Sequence, residues 1–409
     1  MVSGVLLARM LGAEGYGNYV YVMSIITVLG IPIQSGLHTL IVRETAYYNA
    51  QKQWALMKGL LNLSTRWVYL SSTIILIASL VLVYLDIIDT QLSALSIGLA
   101  LILLPITQIN LLRSAMLRGL TKVSLSEVPE QIIKPICVIS ALALLLYFNI
   151  ELNLDHAFGI VLMGSVIAFS ISYTFVHSQS PTQLKNTVGS LDIERWKKSW
   201  LPLALFSWVH IANSQINVLL LGALADKTSV GLFQVGFQAA SVVAIALAVI
   251  NSVTAPHIAT LNAEKRISAI QTLLTRSAQL ATISATLVLA VYCFWGEALI
   301  TFIFGEEFRV SWKCMLILSL GHLASAFAGS VGITLQMLGY DKSTTQLMCV
   351  GFAVNLLISI ILIPLYGAEG AAVAYAGSIV LWNTLLAFKL KSATTLNSTI
   401  FRVVMRKPS

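Results

Sequence analysis

Charged and amide side chains set inside long apolar runs are the residues of this chain whose chemistry calls for an explanation. Arg9, His38, Arg43, Arg113 and Lys134 stand in the first half, and His210, Asn213 and Asn217 recur along one apolar segment of the second. An ionised side chain in hydrocarbon is costly unless it faces water, a counterion or a ligand. Bases outnumber nearby acids here, and only Glu127 and Glu130, just before Lys134, are close enough in sequence to neutralise one. A basic cavity in the first half therefore suits an anionic headgroup, such as a phosphate or pyrophosphate. Arg43 and Arg113 fit equally well as anchors at a membrane boundary, and Lys134 as the i,i−4 partner of Glu130. The histidines can titrate near neutral pH, but interhelical hydrogen bonding accounts for them as simply.

No nucleotide-binding loop, nucleophile elbow, zinc-ligand spacing or long soluble insert is found, so the chain is read as a non-enzyme that moves something across or within a membrane. Cys137, Cys293, Cys314 and Cys349 form no close pair in sequence and suggest neither disulfide nor metal. No cofactor and no nucleic-acid partner is called for, and coupling to a proton or sodium ion is left open. The net charge of +8 is spread over short joints, where it bears on topology more than on partners.

The elements that must position these residues follow from composition. Hydrophobic residues make up 57% of 409 and charged residues 10%, with mean hydropathy +0.85; soluble domains carry roughly a quarter charged residues. Apolar windows of about 20 residues, the length that crosses a hydrocarbon core of roughly 30 Å, repeat along the chain. A stub at 1–11 precedes spans near 17–38, 65–85, 93–114, 128–148, 156–177, 200–222, 230–252, 277–296, 311–337, 344–364 and 368–388. The stub gives at most about 16 Å of helix and is read as the latter half of a first span whose beginning is absent. Pro32 and Gly36 break the second span, and Pro105, Pro135 and Pro256 permit further bends.

Joints alternate in charge. Arg43, Lys52, Lys58 and Arg66, then Arg113, Arg118 and Lys122, then Lys185, Arg195, Lys197 and Lys198, then Lys265, Arg266 and Arg276, then Lys342, and finally Lys389, Lys391, Arg402, Arg406 and Lys407 mark one side; Glu14, Asp86 and Asp89, Glu151 and Asp155, Asp226, Glu297 with Glu306 and Glu307, and Glu369 mark the other. Positive joints belong in the cytoplasm, so the C-terminus does too. Arg309 and Lys313, exceptions in an acidic joint, are expected to be neutralised locally.

The chain also resembles itself. LGAEGYGNYVYVMS near 11–24 matches LGALADKTSVGLFQVGFQAAS near 221–241, with Gly17 over Gly231, and LRGLTKVS at 117–124 matches QMLGYDKSTT at 336–345, with Gly119 over Gly339. The expected fold is an all-α polytopic membrane protein of two pseudo-symmetric six-helix bundles around a central cavity, related by an axis along the membrane normal. The bundles are placed at 1–178 and 199–390, with a cytoplasmic linker at 179–198 and a tail at 391–409.

On ARMLGAEGYGNYVYVMSIITVLGIPIQSGLHTLIVRE at 8–44, and on the apolar stretches around 217–261 and 302–342, the sequence resembles the Wzx-type polysaccharide flippases of the multidrug/oligosaccharidyl-lipid/polysaccharide exporter superfamily. The resemblance implies alternating-access transfer of undecaprenyl-pyrophosphate-linked oligosaccharide from the inner to the outer leaflet of a bacterial inner membrane, for O-antigen, capsule or exopolysaccharide. It implies lipid-linked oligosaccharide and membrane lipids as partners, together with a polysaccharide polymerase and glycosyltransferases. By the same resemblance Arg9 and Arg43 match basic positions that meet the lipid pyrophosphate, and Asn217 falls where many relatives carry an acid. A drug or small-metabolite exporter of the same superfamily is the alternative.

Overall fold

A computed structural model describes residues 2–34, 36–84, 93–394 and 396–400. The acidic joint at Asp86 and Asp89 and the tail bases Arg402, Arg406 and Lys407 lie outside the described residues, as do the side chains of Lys185 and Lys198. Among the described residues every regular element is helical: α1 (Val2–Leu29), α2 (Ile31–Gln34), α3 (Leu37–Ala50), α4 (Trp54–Tyr84), α5 (Ala94–Gly119), α6 (Val123–Glu127), a π-helical segment Val128–Ile133, α7 (Lys134–Tyr147), α8 (Leu154–Gln179), α9 (Thr182–Asn186), α10 (Ile193–Leu224), α11 (Lys227–Ala263), α12 (Ile267–Phe304), α13 (Ser311–Ala328), α14 (Val331–Met337) and α15 (Asp341–Thr394). Lipid leaves no water to satisfy backbone groups, and helices satisfy them internally.

Eight of these helical stretches are long and apolar enough to cross a membrane, or nine if α13 and α14, bent by 43°, form one span. Two of the eight are interrupted by a glycine. Gly12 (φ 69°, ψ 179°) separates the stub from the second span inside α1, and Gly367 (φ 53°, ψ −127°) divides α15. At 54 residues, α15 would measure about 81 Å at 1.5 Å per residue, far beyond a single crossing of roughly 30 Å. Its halves, 341–366 and 368–394, coincide with the last two expected spans. The chain is a multi-pass membrane protein.

Several helices overrun the expected spans. The windows at 230–252 and 277–296 lie within α11 and α12, which extend to 37 and 38 residues, past Pro256 and Gly296, each of which the helix accommodates. The second span breaks as expected: α2 is a single turn between Gly30 and Gly36, and Gly36 adopts φ 69° at the start of α3. Pro105 and Pro256 sit inside α5 and α11.

Contacts divide the chain into Met1–Gln215 and Ile216–Ser409. In the first unit α5 packs against α1, α3, α4 and α8. Gly119 is what lets α5 approach α3, since a Cβ there would lie 2.6 Å from Thr45 Cβ. In the second, α13 packs against α11, α12 and α15, with Gly236 against Cys314 and Gly321 against Ala376. Close approach over small residues is the usual basis of helix association where lipid removes the hydrophobic driving force.

The internal echoes occupy equivalent places. Gly17 and Gly231 are both buried near the start of the helix that follows the first turn of their half, and Gly119 and Gly339 both fall where a fourth helical segment ends. Their roles differ, because Gly339 stands in open space at φ +83°. The exceptional bases of the acidic joint are neutralised locally: Arg309 pairs with Glu297 and Glu306, and Lys313 Nζ lies 3.2 Å from Glu369.

Candidate functional site

In the first unit, polar groups converge where α5 faces the start of α7. Asn110 Nδ2 donates to Glu130 Oε1 at 2.7 Å, and Lys134 Nζ to Glu130 Oε2 at 3.3 Å. Glu130 sits in the π-helical segment, and the two prolines of VPEQIIKP account for it. Pro135 has no N–H to continue an α-helical ladder, and the Lys134 N–H reaches back five residues to the Pro129 carbonyl. π-helical insertions within α-helices are frequent at functional sites. Two residues earlier on α5, and so on a different face of the helix, the Gln108 amide packs against Gly30, where a Cβ would come within 2.5 Å of Nε2. The Gln108 Oε1 and Asn110 Oδ1 atoms are buried with no hydrogen-bond donor among the described residues, the first beside Gly30 at the break in the second span and the second beside Glu130.

A second charged pair, Arg118 with Glu127, lies at the end of α5. His38, half-buried on α3, is within electrostatic reach of both. The Lys134 pairing is the i,i−4 ion pair that the sequence offers beside a ligand role.

Arg43 and its neighbours form another cluster. Glu44 is only 4% exposed and takes Arg43 Nη2 at 2.9 Å on one oxygen and Arg195 Nη2 at 3.1 Å on the other. The Arg195 guanidinium also lies over Tyr47, 4.5 Å from the ring centre, and Trp196 Nε1 donates to Tyr48 Oη at 2.8 Å. Reading the polar residues from sequence overlooked Glu44; the signal was the acid beside Arg43, followed by two tyrosines. Arg9 is exposed on α1, three residues before the Gly12 break. Arg113 donates to the Phe169 carbonyl at 2.8 Å and stacks on the Phe169 ring at 4.0 Å, which fastens α5 to α8.

On α10, His210, Asn213 and Asn217 lie on one stripe by helical spacing. His210 is exposed, and Asn213 is buried. Asn217 belongs to the second unit and is 1% exposed. Ser359 Oγ donates to Asn217 Oδ1 at 2.8 Å and approaches Asn355 Oδ1 at 3.3 Å, while Asn217 Nδ2 meets no acceptor among the described residues. A neutral triad thus occupies the position where an acid was the family expectation. The structure brings His38 near Arg118, and Lys134 and Asn110 onto the one carboxylate of Glu130.

Residues 1–262 match the family described as polysaccharide biosynthesis protein. The chain belongs to that family. The matched region contains every side chain singled out above as a site candidate. Two curated relatives from Haloferax volcanii are a probable low-salt glycan biosynthesis flippase, Agl15, 21% identical over 46% of this chain and 38% of its own length, and a probable flippase, AglR, 22% identical over 68% of this chain and 57% of its own. The chain therefore spans about half the length of the curated relatives it matches. Among solved structures, an inward-facing MATE-family multidrug resistance transporter of the MOP superfamily superposes with TM-score 0.80 at 13% identity, over 96% of this chain and 94% of that one. The lipid II flippase MurJ in an inward closed conformation superposes with TM-score 0.71 at 15% identity, over 95% and 84%. This polysaccharide-biosynthesis family member has the transporter fold of that superfamily.

Proposed function

We propose that the chain flips undecaprenyl-pyrophosphate-linked oligosaccharide repeat units from the inner to the outer leaflet of a bacterial inner membrane by alternating access, with its C-terminus in the cytoplasm. The observation that carries this reading is the polysaccharide-biosynthesis family match over residues 1–262. The MurJ-like fold supports it, because it is a scaffold on which a lipid-linked saccharide is moved. In this reading the sugar headgroup crosses along a hydrophilic path while the lipid tail stays in the bilayer. Arg9 and Arg43 attract the pyrophosphate, Lys134 and His38 line the path in the first bundle, and the His210–Asn213 stripe offers hydrogen bonds to sugar hydroxyls. Arg113 and Asn217 act from behind, holding the helices that present these groups.

The MATE likeness raises the alternative of a drug or small-metabolite exporter. Glu127 and Glu130, however, are each paired with a base, and Glu44 is shared by Arg43 and Arg195, so that cluster keeps a net positive charge that disfavours a cationic drug. Deletion of the gene, followed by rescue with wild type or Arg9→Ala/Arg43→Ala, separates the readings through the amount of lipid-linked repeat unit in the outer leaflet. Wild type is expected to restore it and the double variant to fall short at equal protein level. Full rescue by the double variant would remove the two arginines from the mechanism.

A further inference from the structure

In the second unit the chain beyond α15 does not leave the helices, and residues 396–400 form a strap across their ends. Leu396 is 1% exposed, in a buried cluster with Ile258, Ile270, Leu274, Val331 and Leu335 from α11, α12 and α14. Gln271 on α12 grips the strap by its backbone: Nε2 donates to the Asn397 carbonyl at 2.7 Å, and Oε1 accepts from the Asn397 N–H at 2.8 Å. Ser398 is buried as well, and its Oγ donates to the Ala328 carbonyl at 2.7 Å. Ala328 is the last residue of α13, so this bond falls at the 43° bend into α14. Backbone meets backbone there, since a Cβ on Gly329 would lie 2.4 Å from the Ser398 carbonyl oxygen.

No proline imposes this bend. The run SAFAGSVGITLQM at 325–337 offers only the pair Gly329–Ser330, which permits a kink without requiring one. In a continuous α-helix the Ala328 carbonyl would accept from the Gly332 N–H, four residues on. In the bent form Ser398 supplies the donor instead. Two arrangements of one segment thus compete for a single acceptor, which is the kind of element that switches between discrete states. We propose that residues 396–400 are a conformational latch on the second unit. Docked, the latch holds α13 and α14 bent and the ends of α11, α12 and α14 together; released, α13 and α14 join into one straight helix and that end opens. Straightening swings the seven residues of α14, about 10 Å at 1.5 Å per residue, through 43° and moves their far end by about 7 Å. The latch lies wholly within one unit and does not depend on what is transported.

Pulsed electron double resonance in lipid nanodiscs reads this movement, with spin labels on single cysteines at the exposed positions Glu264, after α11, and Lys342, after α14, in a chain lacking its native cysteines. The parent chain is expected to give one distance. Removal of 396–409, or Gln271→Leu with Ser398→Ala in the full chain, is expected to add a second population displaced by about 7 Å. Removal of 401–409 alone leaves the strap and should keep the single distance. Gly332→Pro supplies the converse test. A Cβ there meets only Leu386, at 3.7 Å; proline is tolerated in the first turn of α14 but clashes with the Ala328 carbonyl in a continuous helix. Added to the chain without its strap, or to the paired variant, Gly332→Pro is expected to abolish the second population. Should the shortened chain not fold, the paired variant with and without Gly332→Pro decides the matter. A single distance in the paired variant, with only the thermal midpoint lowered, would make the strap a passive cap and overturn the proposal. So would a second population on removal of 401–409 alone, or one that persists with Gly332→Pro.

Discussion

Glu44 ties the cytoplasm-facing end of α3, in the proposed orientation, to the start of α10, because both of its oxygens are claimed by arginines from different elements. Glu44→Gln should destabilise the folded chain by about 1–2 kcal/mol, below the 3–5 kcal/mol of a fully buried pair because both arginines keep contact with solvent. Thermal unfolding in detergent measures this, and an unchanged midpoint would mean that the pairing contributes nothing. Asn217→Ala removes the acceptor of Ser359 in a buried triad, and about 1–3 kcal/mol of lost stability is expected by the same measurement. At this scale the sequence was partly legible. The Lys134–Glu130 pair follows from helical spacing alone. Arg195 meets Glu44 across a long sequence separation, and only the packing of α10 on α3 brings them together. Likewise Asn110 reaches Glu130 because the π-turn rotates the acid, an effect that hydrophobic periodicity does not encode.

Among elements, apolar windows located the crossings well, since hydrocarbon thickness sets their length. They did not locate the helix ends. α11 runs past Pro256 and α12 past Gly296, and they end only where the backbone turns to positive φ at Lys265 and Gly305. The interruption at Gly30–Gly36 was legible from Pro32 and Gly36, whereas the bend between α13 and α14 at Gly329 was not, because a lone glycine in an apolar run more often marks close packing. Gly119 illustrates that other use. Gly119→Ala would force its new methyl against Thr45 and should cost about 1–3 kcal/mol. Thr45→Gly in the same chain should recover part of that loss. If the double variant is no more stable than Gly119→Ala alone, the contact does not limit the approach of α5 to α3.

For the molecule as a whole, the internal echoes and the charge of the joints were the sequence features that reached furthest. Both echoed glycine pairs fall at matching places in the two halves, and the multi-pass, all-helical transporter fold agrees with the superfamily to which the opening residues pointed. Membrane orientation is a separate expectation. Single cysteines placed at Glu264 and at Glu306, in a chain lacking its native cysteines, should label from opposite sides, with the Glu264 site cytoplasmic; labelling from one side would refute the alternation. The central claim is that this polysaccharide-biosynthesis family member moves a lipid-linked oligosaccharide. It is tested most directly by reconstituting the purified chain in liposomes with undecaprenyl-pyrophosphate-linked oligosaccharide and following access of the sugar to an external lectin or glycosidase. The account predicts transfer between leaflets that depends on the protein and falls about tenfold or more in Arg9→Ala/Arg43→Ala, a loss corresponding to roughly 1.4 kcal/mol or more. Transfer no faster than in protein-free liposomes would contradict it.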